Sequence, residues 1–252
     1  MGRSKIEWVR NSDGRPGYSI NPVKGLCPMA CKDNQGKEYC YARRMYKRFG
    51  WNPAIRYDPS VFLDLPDKPS KIFVGSTFEL FHPFVSDTWL TEILSLCKRN
   101  SEHTFIFLTK QPQNLPEKLP ANCWVGVSVT NSEMLGDALD GLDDIRCSVR
   151  FISAEPLLAS LIPKGLSKDE FSGYLAGTLN WVITGQATPV KQTTMPRVEW
   201  IREIVEAADK AGIKVFLKDN LYDLLMSIPH ADLFWEDMSN LRQEFPDDAK
   251  GK

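Results

Sequence analysis

Two apolar runs near the middle of the chain decide the fold class: TFIFLT at residues 104–109 and CWVGVSV at residues 123–129. Their apolar residues, rich in Val, Ile and Phe, are nearly continuous rather than alternating with polar ones. Strands that are buried on both faces of a parallel sheet have this pattern. The two runs therefore predict buried strands of a parallel sheet.

Five similar runs extend this pattern over most of the chain. They are GYSINPV (17–23), KIFVGS (71–76), VRFISA (149–154), NWVITG (180–185) and KVFLKD (214–219). Helical patterns lie between them, one starting at Ser86 or Asp87 and ending near residue 100, and another covering residues 197–212 and ending at Gly212. Strands that alternate with helices predict an α/β fold. Six to seven strands predict a partial or complete parallel (β/α) barrel, with a doubly wound open sheet as the alternative.

Length and composition are those of an ordinary globular protein. The chain has 252 residues, of which 42% are hydrophobic and 25% charged, and its net charge is −1. No repeat or linker divides it, so we expect a single domain over residues 1–252 with a short C-terminal extension from about residue 220. Because the net charge is nearly zero, a nucleic-acid partner would have to be bound by a local basic patch.

The sequence contains no recognisable signal for secretion or membrane insertion. The N-terminal stretch MGRSKIEWVRNSDG lacks the apolar segment of a secretory signal. No apolar run approaches the roughly 18–20 residues that span a bilayer. We therefore expect a cytoplasmic protein without a membrane partner. Since the cytoplasm is reducing, metal binding or chemistry is a better interpretation of clustered cysteines than disulfides.

Three of the six cysteines lie in one loop, residues 24–41, with the spacing C-x3-C-x8-C: Cys27, Cys31 and Cys40. Zinc is one interpretation, with His82 as the fourth ligand of a Cys3His site, although paired ligand spacings are absent. Three inert core cysteines are a weaker interpretation, because the intervening sequence KDNQGKEY is polar. The other three cysteines, Cys97, Cys123 and Cys147, lie in apolar patterns and are predicted to be core residues.

An iron–sulfur cluster fits the three loop cysteines better than zinc does. Full cysteine ligation of a [4Fe–4S] cluster uses four thiolates, so three leave one iron open to another ligand. A three-cysteine loop after the first strand of a parallel α/β barrel is the arrangement of radical S-adenosylmethionine (SAM) enzymes. In such enzymes the open iron binds SAM, which is cleaved to a 5′-deoxyadenosyl radical. The sequence therefore predicts a radical SAM fold, with a zinc-bearing nucleic-acid-binding module without catalysis as the alternative.

Several predicted strands are followed by polar or small residues. Because the carboxyl ends of parallel strands carry the site in α/β folds, we expect these residues to converge on one face. They are Glu79, Lys110, Ser128, Glu155, Gly185 and Lys218. Glu155 has an equally good interpretation as the cap of a following helix. The two lysines are candidates for contact with an anionic substrate.

Seven ordered blocks, covering about residues 5–220, resemble a phage- and prokaryote-associated three-cysteine family that is radical-SAM-like. The blocks begin with NPVKGLCPMAC…YCYARRMYKRFG and continue with KIFVGSTFELFHPFVSDTWL, HTFIFLTKQPQNL, CWVGVSVTNSE, VRFISAEPLL, NWVITGQA and AGIKVFLKDNL. Members of that family often carry C-x3-C-x2-C-Y-A. In this chain six additional residues separate Cys31 from Cys40.

The resemblance implies cofactor-binding roles for particular residues. Cys27, Cys31 and Cys40 would ligate the [4Fe–4S] cluster, which an external electron donor would reduce. Contacts with SAM would come from residues beside the last cysteine and at the strand ends: Tyr41, Ser76, Thr77, Glu79, Ser128, Glu155 and Gly185. Tyr41 would pack near the adenine, and a carboxylate such as Glu79 suits the methionyl ammonium.

A basic stripe follows the last loop cysteine and points to a macromolecular partner. On a helix its residues form two i,i+4 columns, beside an apolar face that includes Tyr41 and Phe49. The stripe consists of Arg43, Arg44, Lys47 and Arg48. Basic residues with interleaved aromatic residues suit a phosphate backbone and stacked bases. A solvated amphipathic helix is the simpler alternative, and a partner protein is another candidate for this side of the fold.

Overall fold

The computed structural model of the protein describes residues 2–33, 35–228, 232–237 and 239–247. Its strands are β1 (Gly2–Arg3), β2 (Tyr18–Ile20), β3 (Val23–Lys24), β4 (Arg56–Tyr57), β5 (Lys71–Val74), β6 (Thr104–Thr109), β7 (Cys123–Ser128), β8 (Val149–Ala154), β9 (Trp181–Thr184) and β10 (Lys214–Leu217). Its α-helices are α1 (Tyr41–Phe49), α2 (Asp87–Arg99), α3 (Ser132–Asp143), α4 (Lys168–Leu175), α5 (Val198–Ala211) and α6 (Tyr222–Met226).

Eight of the strands form one sheet in the order β1-β2-β5-β6-β7-β8-β9-β10, and β3 and β4 form a separate antiparallel pair. The pairs β2–β5, β5–β6, β8–β9 and β9–β10 are parallel, whereas β1 is antiparallel to β2. Each of the seven predicted runs contains one strand of this sheet. The prediction of an α/β fold with a mostly parallel sheet is therefore confirmed.

The chain divides into two compact units. Unit 1 comprises the residues up to Gly126 together with Ile145–Ser148, and unit 2 comprises Val127–Asp144 and Val149–Asp247. The expected single domain over the whole chain stays a prediction. Within the described ranges, no helix is long and apolar enough to cross a membrane.

Unit 1 is built around β5 and β6, whose apolar residues are buried on both faces, as the continuous runs predict. Helix α2 begins where the sequence suggests, because the Ser86 hydroxyl accepts the Trp89 N–H at 3.3 Å. Its buried positions are Ile93 and Cys97. Because β2, β5 and β6 are parallel neighbours, their carboxyl ends lie at one edge of the sheet.

Unit 2 is built around β8, β9 and β10. The predicted apolar stripe of α5 is buried at Ile201, Ile204, Val205 and Ala208, and the helix ends at Gly212 with φ of 67°. The C-terminal segment completes this core: the Trp181 indole N–H donates to the Glu244 carbonyl at 2.9 Å. The ring of Phe245 lies 5.7 Å from that of Trp181.

Two of the three predicted core cysteines are confirmed. Cys97 and Cys123 are completely buried in unit 1. The prediction for Cys147 is wrong, because this residue is only half-buried and lies in the connection before β8, outside the strand whose apolar pattern suggested burial.

Candidate cluster-binding site

The loop that carries the three cysteines follows β2 and is held by close backbone packing within unit 1. Gly25 has φ of 125°, and a Cβ at this position would lie 2.7 Å from the Ala54 carbonyl oxygen. Only glycine fits such a conformation and such an approach without strain. The Gly25 N–H donates to the Tyr46 hydroxyl at 2.8 Å, which ties the start of the loop to α1.

Cys27 is the most buried of the three loop cysteines, with 8% of its surface exposed. Burial raises the pKa of its thiol, while the backbone N–H groups of Met29 and Glu79, which face the sulfur, lower it. Such N–H groups stabilise a thiolate. Burial is the larger effect, so the pKa of Cys27 is raised overall although two N–H groups face its sulfur.

The residues between Cys31 and Cys40 fold back on themselves as a short hairpin. Lys32 and Glu38 form an antiparallel bridge. The Tyr39 N–H donates to the Cys31 carbonyl at 3.1 Å. Because the two ends of the hairpin are paired, Cys31 and Cys40 lie close together although eight residues separate them in the sequence.

The tip of the hairpin has its own turn chemistry. The Asp33 carboxylate accepts the N–H groups of Gln35 at 3.0 Å and Lys37 at 2.9 Å. Gly36 has φ of 75°, which favours glycine. These hydrogen bonds form the turn at the tip of the hairpin.

The thiols of Cys31 and Cys40 meet at the base of the hairpin. The Cys31 thiol donates a hydrogen bond that lowers the pKa of Cys40 to about 6, assisted by the N–H groups of Arg43 and Ala42 at the start of α1. Donating this hydrogen bond, together with burial, raises the pKa of Cys31, while the charge of Lys110 lowers it. One of the two sulfurs is thus already stabilised as a thiolate.

Arg43 holds the cysteine loop instead of pointing to solvent with the rest of the basic stripe. Its Nη2 donates to the Cys27 carbonyl at 2.9 Å, and its Nη1 lies 3.5 Å from the Glu38 carboxylate. It therefore connects the first cysteine to the hairpin.

Glu79 links the ends of β5 and β6. Its carboxylate accepts hydrogen bonds from the Thr109 hydroxyl at 2.6 Å, the Lys110 N–H at 2.8 Å and the Phe81 N–H at 3.2 Å. It is 7% exposed. A carboxylate has about four acceptor positions, so three occupied positions leave one for a further donor. The Lys110 ammonium lies 6.0 Å from the centre of the Tyr39 ring, next to the hairpin.

Ser76 and Thr77 are fixed by a residue that the sequence analysis missed. The Asn21 Oδ1 accepts the Thr77 N–H and the Thr77 hydroxyl, both at 3.0 Å, and its Nδ2 donates to the Ser76 hydroxyl at 3.2 Å. The Tyr41 hydroxyl donates to the Ser76 carbonyl. Asn21 directly follows β2, and its position at a strand end was the signal that could have identified it.

Unit 2 brings together three other predicted site residues. Glu155 follows β8 and forms an ion pair with Lys218, which follows β10. A Cβ on Gly185 would lie 2.9 Å from the Lys218 Cδ, so the glycine makes room for this lysine. The alternative role of Glu155 as a helix cap is wrong, because α4 begins only at Lys168. Ser128 is the buried last residue of β7.

The rest of the basic stripe is exposed on α1, which contains no acidic residue. Arg44, Lys47 and Arg48 all face solvent. Phe49 and Trp51, exposed by 54% and 42%, are stacked with ring centres 5.6 Å apart, and the Arg48 guanidinium lies 5.3 Å from the Phe49 ring. We call Arg44, Lys47, Arg48, Phe49 and Trp51 the α1 surface.

Cysteine thiols are the ligands that iron–sulfur clusters use. Among the residues that the structure describes, no three His, Cys, Asp or Glu side chains meet closely enough to hold one ion. A cluster requires no common meeting point, because each thiolate binds a different iron. His82, the fourth ligand of the zinc interpretation, uses Nδ1 to accept the Phe84 N–H at 3.2 Å.

Comparisons with known proteins agree with this fold. Two structures of spore photoproduct lyase are similar at 11% sequence identity. One, a cysteine-to-alanine mutant with dinucleoside spore photoproduct, has a TM-score of 0.52 and covers 83% of this chain and 78% of that one. The other, a cysteine-to-serine mutant, has a TM-score of 0.50 and covers 86% and 80%. The chain thus shares the α/β fold of spore photoproduct lyase.

The sequence itself identifies a family. The chain belongs to the family described as "Protein of unknown function (DUF5131)", whose profile matches residues 3–222. No curated protein sequence matches it. The association with phages that the resemblance implies stays a prediction.

Proposed function

We propose that this protein is a radical SAM enzyme whose [4Fe–4S] cluster is held by Cys27, Cys31 and Cys40. The hairpin carries this proposal, because it returns Cys40 to Cys31 across eight intervening residues. The hairpin therefore brings the second and third ligands together, as a short sequence spacing would. The shared fold with spore photoproduct lyase gives a second, independent support.

When bound, the cluster and SAM would supply a 5′-deoxyadenosyl radical and methionine, after one electron from an external donor breaks a carbon–sulfur bond of SAM. The protein's own groups would prepare this site. N–H groups directed at Cys27 and Cys40 stabilise thiolates, and the charge of Lys110 favours a thiolate at Cys31. Arg43 fixes the loop. A cytoplasmic location would keep the three thiols reduced.

SAM would be bound next to the cysteine loop by the group that Asn21 organises. Ser76 and Thr77 offer hydroxyls that are already oriented. The remaining acceptor position of Glu79 would accept the methionyl ammonium. Tyr41, which is tied to the Ser76 carbonyl, would pack beside the adenine. Contacts from Ser128, Glu155 and Gly185 stay predictions, as does substrate contact by Lys218.

Counting metal and product tests this proposal and separates it from the zinc-bearing module. After anaerobic purification we expect about four irons and about four sulfides per chain, and 5′-deoxyadenosine after reduction in the presence of SAM. The Cys40→Ala variant should lose both the bound iron and the formation of 5′-deoxyadenosine. The matched control Cys147→Ser, which changes a half-buried cysteine outside the loop, should retain both. Stoichiometric zinc without iron, and no nucleoside, would establish the alternative.

The substrate that we propose is a nucleic acid, bound by the α1 surface. Three cations beside two stacked, exposed aromatic rings can hold a phosphate backbone and stack bases. Helix α1, which carries this surface, begins directly after Cys40, so a bound strand would lie beside the cofactors. A partner protein is the competing occupant.

Oligonucleotide binding measured by fluorescence anisotropy tests the substrate class. Arg44→Glu with Arg48→Glu should weaken binding by at least about tenfold and reduce its salt dependence. Lys164→Glu with Lys191→Glu, an equal charge change at exposed positions in unit 2, should have little effect. Equal affinities of the two double variants would exclude the α1 surface as the nucleic-acid site.

A further inference from the structure

A cleft of about 1020 Å³ lies at the other end of the unit 1 strands. Its wall includes Lys71, Thr104 and Trp124, which lie at the amino ends of β5, β6 and β7. The cysteine loop follows the carboxyl end of β2, which is parallel to β5, so the cleft and the candidate cluster site occupy opposite ends of the sheet. Pockets for small ligands in proteins typically have volumes of about 300–1,000 Å³.

Two polar side chains in the wall of this cleft are buried without a complete set of hydrogen bonds. Asn11 is 8% exposed and His103 is 2% exposed. The Asn11 Oδ1 accepts the Lys71 N–H at 2.7 Å, but its Nδ2 has no hydrogen-bond partner among the described residues, and neither has the His103 Nδ1. Buried polar groups in folded proteins are nearly always paired, so each of these two atoms lacks a partner that a ligand could supply.

The two atoms have different hydrogen-bonding chemistry. The Asn11 Nδ2 can only donate. The His103 Nε2 lies 3.7 Å from the Glu102 carboxylate, which favours the tautomer with the proton on Nε2 and leaves a lone pair on Nδ1. Burial lowers the pKa of His103, which keeps the ring neutral at pH 7. A complementary ligand must therefore offer an acceptor to Asn11 and a hydroxyl or N–H group to His103.

The positive charge of the cleft favours an anionic ligand. Three lysines line it against one glutamate, Glu102. Lys71 is 4% exposed, and its ammonium lies 4.7 Å from the centre of the Trp124 ring, a contact that stabilises a cation away from water. Lys98 and Lys118 are exposed at the rim. Lysine ammonium groups and a neutral amide donor are suited to the oxygens of a phosphate group.

We propose that this cleft binds a phosphate monoester that carries free hydroxyl groups, such as a sugar phosphate or a mononucleotide. The lysines and Asn11 bind the phosphate oxygens, and the Nδ1 of His103 accepts a hydrogen bond from a hydroxyl. This site is separate from the proposed radical chemistry and does not depend on it.

Calorimetric titration of the protein with ribose 5-phosphate, adenosine monophosphate and inorganic phosphate tests the site. We expect saturable binding of one or both organic phosphates, with inorganic phosphate weaker. Lys98→Gln with Lys118→Gln should lower the affinity for the organic phosphate by about tenfold. This change corresponds to the loss of one charge-assisted hydrogen bond. Both positions are exposed, so this variant should fold normally.

The control is Lys164→Gln with Lys191→Gln, which removes the same charge from exposed positions in unit 2. It should bind as the unchanged protein does. A second variant, His103→Phe, should weaken the organic phosphates but not inorganic phosphate. No binding of any of the three probes, or equal weakening in the two lysine variants, would overturn the proposal. Inorganic phosphate binding as tightly as the esters would overturn the role of His103.

Discussion

Unit 1 contains two groups of cysteines with opposite surroundings. Cys97 and Cys123 are completely buried side by side, and burial, followed by the hydrogen bond with Cys123, raises the pKa of Cys97 well above that of an ordinary thiol. At the base of the hairpin, the hydrogen bond from Cys31 and the N–H groups of α1 lower the pKa of Cys40. The hydrogen-bond donors around the sulfur, rather than clustering alone, thus separate a cysteine that is stabilised as a thiolate from those that only pack.

The largest difference between the two groups should be in thiol reactivity of the metal-free protein. Because the pKa of Cys40 is lowered to about 6, its thiolate is present above this pH and is lost as the pH falls through it. Iodoacetamide at pH 7 should alkylate Cys40 at least about 100-fold faster than Cys97. Peptide mass spectrometry over a time course measures both rates. Similar alkylation rates for Cys40 and Cys97 would contradict the proposed difference between the two groups of cysteines.

Removing a cysteine from each group should have reciprocal consequences. Cys97→Ala should lower the free energy of unfolding by about 1–2 kcal/mol, because it leaves a small cavity, but should retain the iron. Cys31→Ala should lose the iron while changing the stability of the metal-free protein by less than about 0.5 kcal/mol, since this side chain is only half-buried. Urea unfolding and iron analysis of both variants test this. Retained iron in Cys31→Ala would contradict it.

The hairpin can be tested apart from the cysteines. Deleting residues 33–38 shortens the spacing to C-x2-C and should leave iron binding within about 20% of normal, because the hairpin only returns Cys40 to Cys31. Gly36→Val places a β-branched residue at φ of 75° and should lower the iron content. Iron per chain after anaerobic reconstitution is the measurement. A deletion that abolishes iron binding would show that the hairpin itself contributes to the site.

The smallest expected effect concerns Lys110. Its charge lowers the pKa of Cys31. Lys110→Gln should therefore slow alkylation of Cys31 by about two- to threefold and leave the rate at Cys97 unchanged. An equal change at both residues would indicate a general loosening of unit 1.

The sequence predicts the strands well and the details of the site less well. Continuous apolar runs identify every long strand, because burial on both faces leaves a clear pattern. The return of Cys40 to Cys31 is not predictable from spacing alone, since it depends on a hairpin tip built by Asp33 and Gly36. Arg43 has the sequence context of an exposed stripe residue, and only the fold directs it to the Cys27 carbonyl.

The cleft at the amino ends of the strands is a second feature that the sequence alone does not predict. Asn11, Lys71, His103 and Lys118 come from four separate segments of the sequence. Each residue alone has an ordinary structural interpretation. Their chemistry is visible only when the parallel sheet brings the segments together.

The electron paramagnetic resonance spectrum of the anaerobically reduced protein, recorded with and without SAM, tests the central claim most directly. We predict the signal of a reduced [4Fe–4S] cluster that changes on addition of SAM, and its loss in Cys40→Ala but not in Cys147→Ser. A signal that SAM leaves unchanged, or that survives in Cys40→Ala, would contradict the assignment of the three loop cysteines as the ligands of a SAM-binding cluster.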